Sequence, residues 1–159
     1  MQAMSKAFRH VQTIDDALVC QSDSIITLCL VNGTDAVEAN IAMQLVELQK
    51  TLGVRNKLNE EQCDELAAEI TATFKHLTMA DIHVIFRRAK HGEYGDMYER
   101  ISIPKVLTWF RKYTEEREDT AVKRSEREAE QYKSYVGNDE RRHTGEFLSE
   151  TLKKMNLRK

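Results

Sequence analysis

The chain has 159 residues, near the usual size of a single domain and long enough to bury a core without disulfides or a structural metal. One proline and six glycines leave little turn chemistry for a many-stranded protein, whereas good helix formers such as Ala, Glu, Lys and Leu dominate. This composition excludes a protein built mainly of β-sheet and predicts an all-α fold. Charged residues are 31% of the chain, above the typical globular share, as expected if part of the sequence forms a polar extension.

The formal net charge of −2 conceals an uneven distribution along the chain. Residues 1–80 carry six Lys/Arg against eleven Asp/Glu, and residues 121–159 carry ten against seven. Within residues 82–113, seven basic side chains stand against three acidic ones. Such a local excess of cations suits a polyanion or an acidic protein face. The alternative is that these side chains form ordinary solvated helix faces.

The cysteines and the N-terminal sequence indicate the cellular compartment. Cys20, Cys29 and Cys63 lack C-x-x-C spacing and lie in apolar helical stretches, which predicts buried free thiols in a reducing cytosol. Residues 1–20 mix charged residues into every apolar run, so the sequence predicts neither a signal peptide nor a membrane span. We therefore expect a cytoplasmic protein.

The first two predicted helices are short. Apolar residues recur at helical spacing over residues 5–19 and predict a first helix there. The apolar run 23–31 has strand propensity, but no convincing second strand is available to pair with it. We therefore predict a helix that ends at Asn32-Gly33.

The next two predicted helices carry their own start and stop residues. Thr34 can cap a helix through about residue 52, and Gly53 is placed to end it. Asn59, with a glutamine three residues later, resembles a capping box for a helix over about 60–75.

A further pair of helices surrounds a loop that contains two glycines. Thr78 and Asp81 form another capping-box pattern, which predicts a helix over about 79–91 with Gly92 at its end. Ser102 and Pro104 open the following helix. The residues of the first of these two helices that we expect to face the core are Ile82, Ile85, Phe86 and Ala89.

Beyond residue 117 the sequence becomes polar nearly all round, so this segment either extends the preceding helix or is partly disordered. We predict a break at residues 137–139 and a short amphipathic helix from Thr144. That helix could dock on a partner protein or on its own domain. Its apolar residues are Phe147, Leu148, Leu152 and Met155. The predicted organisation is a compact bundle of about five helices over residues 1–117 and a charged extension over residues 118–159.

The sequence contains no recognisable catalytic constellation. The five histidines lack H-E-x-x-H or paired Cys/His spacing, and no G-x-S-x-G, P-loop or dinucleotide fingerprint occurs. Glu93, Asp96 and Glu99 could supply acid–base chemistry or hold Mg²⁺, but loop carboxylates are far more often solvated or capping groups. We therefore predict a protein that is not an enzyme and that uses no cofactor or metal.

Residues 60–91 match the spacing of a helix-turn-helix, whose second helix enters the DNA major groove. With its apolar residues turned inward, that helix would offer cations to phosphates and to the acceptor edge of guanine. The residues in question are His83, Arg87, Arg88 and Lys90. Asp81 stands at the end that should approach DNA, and the first helix is acidic, which weakens this interpretation.

Single-stranded nucleic acid is a variant of the same hypothesis. Tyr94 and Tyr98 lie in the loop before the next helix. The basic residues around that loop are Arg100, Lys105, Arg111 and Lys112. Aromatic rings among cations suit base stacking combined with phosphate contacts. The alternative is that the tyrosines close the loop over the core and that Trp109 lies inside it.

Residues of about 35–120 resemble a group of small helical proteins encoded by phages and mobile elements of gut Bacteroidetes. The most specific part of the resemblance is F-x-R-A-K-x-G-x-Y-G at residues 86–95, with Trp109 and Tyr113 following. The resemblance supplies no activity. It implies a context of mobile DNA and, within it, replication-accessory work such as primosome assembly or helicase loading.

The leading hypothesis is a non-enzymatic adaptor that binds nucleic acid or a replication protein through the basic surface of residues 83–112. The second hypothesis is a structural or assembly protein that oligomerises through its C-terminal helices, with the basic surface incidental. Salt dependence separates them, because phosphate binding weakens steeply as salt rises and apolar self-association does not.

Overall fold

The computed structural model describes residues 8–95 and 100–156, with side chains described as far as residue 133. In these residues the chain is helical, and β-type pairing is confined to two isolated bridges, Ser24 with Thr78 and Asn56 with Arg100. The all-α prediction is therefore confirmed. The helices in this part of the chain are α1 (Ile14–Val19), α2 (Ile25–Asn32), α3 (Thr34–Leu52), α4 (Glu60–Thr73), α5 (Met79–Lys90) and α6 (Ile103–Asn156).

The chain divides into two compact units, Met1–Asp119 and Thr120–Lys159. The first unit contains α1 to α5 and the beginning of α6, and the second unit consists of the rest of the described helix.

The predicted capping boxes are present at both helices where the sequence indicated them. The Thr78 hydroxyl oxygen accepts from the Asp81 backbone N–H at 3.2 Å, and the Asp81 carboxylate accepts from the Thr78 N–H at 2.8 Å. Asn59 and Gln62 make the same reciprocal pair at α4. Each pair satisfies two of the N–H groups that a helix start leaves without intrahelical partners. Gly53 ends α3 with φ 63°, as predicted.

The predicted helix over residues 5–19 is wrong in its start, because α1 begins only at Ile14. Thr13 has extended backbone, and its side chain accepts from the Asp16 N–H, while the Asp16 carboxylate accepts from the Thr13 N–H at 3.0 Å. This capping box fixes the helix start at Thr13. Hydrogen bonds from the backbone N–H groups of Gln12 and Thr13 lower the pKa of Asp16.

The core of the first unit lies among α3, α4, α5 and the beginning of α6. α3 packs against α2 and α4, and α5 packs against α1 and α3. The beginning of α6 reaches the others through large side chains: the Phe110 ring lies 5.2 Å from that of Phe74 and 6.2 Å from that of Phe86. Trp109, Phe110 and Tyr113 are all buried, which confirms the alternative that Trp109 lies inside the core.

The predicted break at residues 137–139 is wrong, because α6 is one helix from Ile103 to Asn156. A glycine inside a helix costs only about 1 kcal/mol relative to alanine, so Gly137 alone is not enough to end α6. Helix propagation continues through such a position. None of the helices in the described residues combines the length and the apolarity that crossing a bilayer requires.

The prediction of buried thiols holds for Cys63 alone. Cys63 is buried beside Gln49, whose side-chain amide lies 3.3 Å from the sulfur. Burial raises the pKa of this thiol. Cys20 and Cys29 are half-buried free thiols. Cys20 lies directly after α1, and Cys29 lies on α2, which turns a smaller part of its surface to the core than its apolar sequence suggested.

Candidate functional site

α5 is the most deeply buried helix of the first unit, which argues against the helix-turn-helix interpretation. Eight of its twelve residues are buried, among them Val84, which is fully covered. The four residues that we predicted to face inward, Ile82, Ile85, Phe86 and Ala89, are all in the core, so that part of the prediction is confirmed. A recognition helix must leave one long face free to enter the major groove. On α5 the partly exposed side carries His83, Arg87 and Lys90, and Phe8 and Gln12 lie against the first two of these residues.

Asp81 holds the start of α5 against α6. Its carboxylate is fully buried, accepts from the Tyr113 hydroxyl at 2.7 Å and binds the Arg117 guanidinium at 2.9 Å. The same carboxylate accepts from the Thr78 backbone and hydroxyl groups. Burial, followed by the negative charge of Asp81, raises the pKa of Tyr113. A charge in the core is tolerated because these donors replace water.

Arg88 holds the end of α5 against the loop and α6. Its guanidinium binds Glu116 at 2.5 Å and Glu93 at 3.2 Å, and it lies over the Tyr113 ring, 5.8 Å from the ring centre. Its side chain is only 22% exposed. Arg88 therefore fixes the loop after α5 to α6 rather than offering its charge to a partner.

The other predicted contact residues of α5 lie in three different environments. The Arg87 guanidinium donates to the Gln12 carbonyl at 3.0 Å, while Lys90 is exposed at the last position of the helix. The His83 ring is half-buried, 6.1 Å from the ring of Phe8. The four predicted contact residues of α5 thus do not form one free cationic surface.

We expect His83 to make the protein less stable as the pH falls below about 6.5. Burial, with Lys90 and Arg87 adding to it, lowers the pKa of His83 from its ordinary value of 6.5. The unfolded chain then takes up the proton at a higher pH than the folded chain, so the free energy of unfolding falls as the pH drops through this range.

Urea denaturation of the His83→Gln variant at pH 7 and pH 5 measures this effect. The variant should lose less stability between the two pH values than the original protein. His91→Gln, at an exposed position, is the control and should behave as the original protein does. An equal pH response of the His83 variant and the original protein would contradict the assignment.

Tyr94 and the beginning of α6 form a small cleft, which we call the tyrosine cleft. The Tyr94 ring stacks on Trp109 with 5.5 Å between ring centres and 10° between planes, and the Lys112 ammonium lies 6.0 Å from the centre of the Tyr94 ring. The cleft has a volume of about 230 Å³ and is lined by Glu93, Tyr94, Lys105, Thr108, Trp109 and Lys112. Burial raises the pKa of Tyr94 to about 12, and the adjacent Arg88 guanidinium opposes that rise.

Two further predicted contact residues lie near α6 but in different places. Arg111 is exposed, next to Lys112 in the sequence. Arg100 is also exposed, but it lines a separate cleft of about 500 Å³ with Asn56 and Pro104. The structure therefore brings Tyr94, Lys105 and Lys112 together and leaves Arg100 apart from them. Tyr98 lies outside the described residues.

Several other sequence-based candidates also fall outside the described part of the chain. Asp96 and Glu99, which we considered for acid–base chemistry, lie in the undescribed segment 96–99. The predicted protein-binding residues Phe147, Leu148, Leu152 and Met155 lie beyond the last described side chain. Among the described residues, the structure contains no group of three or more His, Cys, Asp or Glu side chains that could hold a metal ion.

Sequence reasoning missed two features of this region. Asp81 was recognised as a capping residue but not as the buried partner of α6, although Tyr113 and Arg117 stand four residues apart and so share a helix face. Sequence reasoning also did not recognise that α2 leaves Leu30 and Val31 exposed. No signal in its uniformly apolar sequence distinguishes a buried from an exposed side.

No family model, curated protein or solved structure gives a significant match to this chain. The functional interpretation therefore depends on the residues and their geometry.

Proposed function

We propose that this protein is a non-enzymatic adaptor that binds single-stranded nucleic acid at the tyrosine cleft. The observation that carries this proposal is the half-buried Tyr94 ring, held flat against Trp109 with Lys105 and Lys112 in the same cleft. Stacking on an aromatic ring combined with cations that follow the backbone is the usual way in which proteins hold single strands without sequence preference.

The shape of the surface favours a single strand over a duplex. A cleft of about 230 Å³ suits one unstacked base, whereas reading a duplex requires an element that enters a groove. The central position of α5 removes the candidate for such an element. Lys105 and Lys112 are seven residues apart on α6, so they share a face about 10 Å apart and can contact successive parts of one sugar–phosphate chain.

Arg88 supports this function as a positioning residue. Its bonds to Glu93 in the loop and Glu116 in α6 hold the loop in place, so that Tyr94 is already on Trp109 before a ligand arrives. A ring that is already positioned binds at a lower entropic cost. In the mobile-DNA context that the sequence resemblance implies, the adaptor would bring a replication protein to exposed single strands.

Fluorescence anisotropy with labelled single-stranded and double-stranded DNA tests the proposal. We expect the single strand to bind more tightly than the duplex at low salt. Charge reversal of the two lysines of the cleft together, as Lys105→Glu and Lys112→Glu, should weaken binding by about tenfold or more. If both residues contact phosphates, the slope of log K against log salt should fall in magnitude by about 1.4.

A matched double charge reversal serves as the control. Lys57→Glu with Lys75→Glu changes the net charge by the same amount at two exposed positions away from the cleft. Equal weakening by both pairs would mean that net charge alone governs binding. That result would contradict the proposal, as would the absence of binding of the original protein to either DNA at low salt.

A further inference from the structure

We propose that α2 is a self-association surface through which two copies of this chain form a dimer. Only one of the eight residues of α2, Ile25, is buried. Leu30 is 83% exposed, Val31 75% and Ile26 47%. Single exposed apolar side chains are common on proteins, but a helix that places three of them on neighbouring positions is typical of an interface.

The exposed residues of α2 lie on one side of the helix. Ile26 and Leu30 are four residues apart and follow one another along the helix, while Val31 lies next to Leu30 and widens the same surface. The opposite side carries Ile25 and the half-buried Leu28 and Cys29, which pack on the core. A row spaced by four residues is the ridge that a second helix accepts in its groove.

The charge of this surface identifies the partner as a second copy. No charged residue occurs from Ser24 to Thr34, in a chain of which 31% is charged. A twofold axis brings the same surface of both copies together, so a surface of one charge would repel itself whereas an uncharged one does not. Interfaces of homodimers are also more apolar than those of transient partners, which are enriched in arginine and in polar rims.

The size of the surface indicates how tight the association is. α2 has eight residues and is therefore about 12 Å long, whereas a stable interface covers about 800 Å² on each partner. We therefore expect a reversible dimer that dissociates in the micromolar range, on the order of 1–100 µM. The surface shares no residue with the tyrosine cleft, so this inference is independent of nucleic-acid binding.

Analytical ultracentrifugation of the full chain over this concentration range tests the inference. The mass should rise from monomer to dimer as the concentration increases, with little dependence on salt. Leu30→Glu should raise the dissociation constant by about tenfold or more, because it introduces one carboxylate from each copy into the shared apolar surface. Since Leu30 is 83% exposed, the variant should keep its helix content by circular dichroism.

A mixing experiment shows whether like surfaces meet. Leu30→Glu and Leu30→Lys should each be mainly monomeric, and an equimolar mixture of the two should dimerise again. Val122→Glu is the matched control, because Val122 is also exposed, at 58%, but lies on α6 in the second unit. It should leave the association unchanged.

Three outcomes would overturn the inference. The first is a chain that stays monomeric over the whole range, in which case some other molecule covers α2. The second is dissociation by Val122→Glu instead of Leu30→Glu, which would place self-association on α6. The third is failure of the mixture to dimerise although each variant is folded.

Discussion

Replacement of Asp81 by alanine is expected to lower the free energy of unfolding by about 3 to 5 kcal/mol, because removing one partner of a buried ion pair leaves the other uncompensated. Asp81 is fully buried and binds both Tyr113 and Arg117. Its loss leaves a guanidinium in the interior without its carboxylate and a phenol without its acceptor. The Arg117 side chain is 19% exposed, so water can solvate part of the guanidinium that has lost its carboxylate. We therefore expect a loss of stability near the lower end of this range.

The chain contains a matched control for this prediction. Asp16 occupies the same position of the same capping box at α1, with Thr13 in the place of Thr78, but it has no buried cation as a partner. Asp16→Ala should cost only about 1 kcal/mol, the usual loss for a capping interaction. The difference between the two alanine variants therefore measures what the contact between α5 and α6 contributes.

Urea denaturation followed by circular dichroism measures both variants. A double-mutant cycle with Arg117→Met isolates the interaction free energy between Asp81 and Arg117. If Asp81→Ala and Asp16→Ala cost the same, Asp81 would be a capping residue and no more. The buried network would then have no part in holding α6 to α5.

The Phe110→Ala variant is expected to lose about 3 to 5 kcal/mol, the usual range for removal of a large aromatic side chain from a core. Phe110 is fully buried and its ring lies against Phe74 at the end of α4 and Phe86 in α5. One truncation therefore removes contacts among three helices and leaves a cavity that none of them can close alone.

The Phe110→Leu variant separates the aromatic contribution from the volume. It fills most of the space and should cost clearly less than alanine, while Thr108→Ala at an exposed position should cost well under 1 kcal/mol. Denaturant midpoints of the three variants give the comparison. A loss below about 1 kcal/mol for Phe110→Ala would mean that the beginning of α6 is not part of the core.

Local signals in the sequence predicted the starts of α4 and α5, because a capping box involves residues only three positions apart. The same locality explains what failed. The partners of Asp81 are 32 and 36 residues away, and Arg88 binds Glu116 28 residues away. Pattern and propensity carry no information about such distant pairs. The basic side chains predicted to form one surface on α5 instead bind different parts of the protein, through contacts that only the tertiary structure reveals.

The α2 helix shows a different limit. Nearly every position from Ile25 to Val31 is apolar, so the helix has no polar side to contrast with an apolar one. The lack of a partner strand favoured a helix here, but periodicity could not indicate which of its sides meets the core. The same uniformity that hid its orientation in the sequence is what makes its exposed side suited to a second copy.

The position of α5 also determines which amides of the first unit can exchange with solvent by local unfolding. Asp81 joins its start to α6, Arg88 joins its end to the loop and to α6, and its middle lies in the core. Its backbone amides can therefore exchange with solvent only when the whole unit unfolds, whereas those of α2, held by few buried side chains, exchange through local opening. We therefore expect α5 to be the helix most protected from deuterium exchange, although the sequence suggested that its arginines belong to an outward-facing binding element.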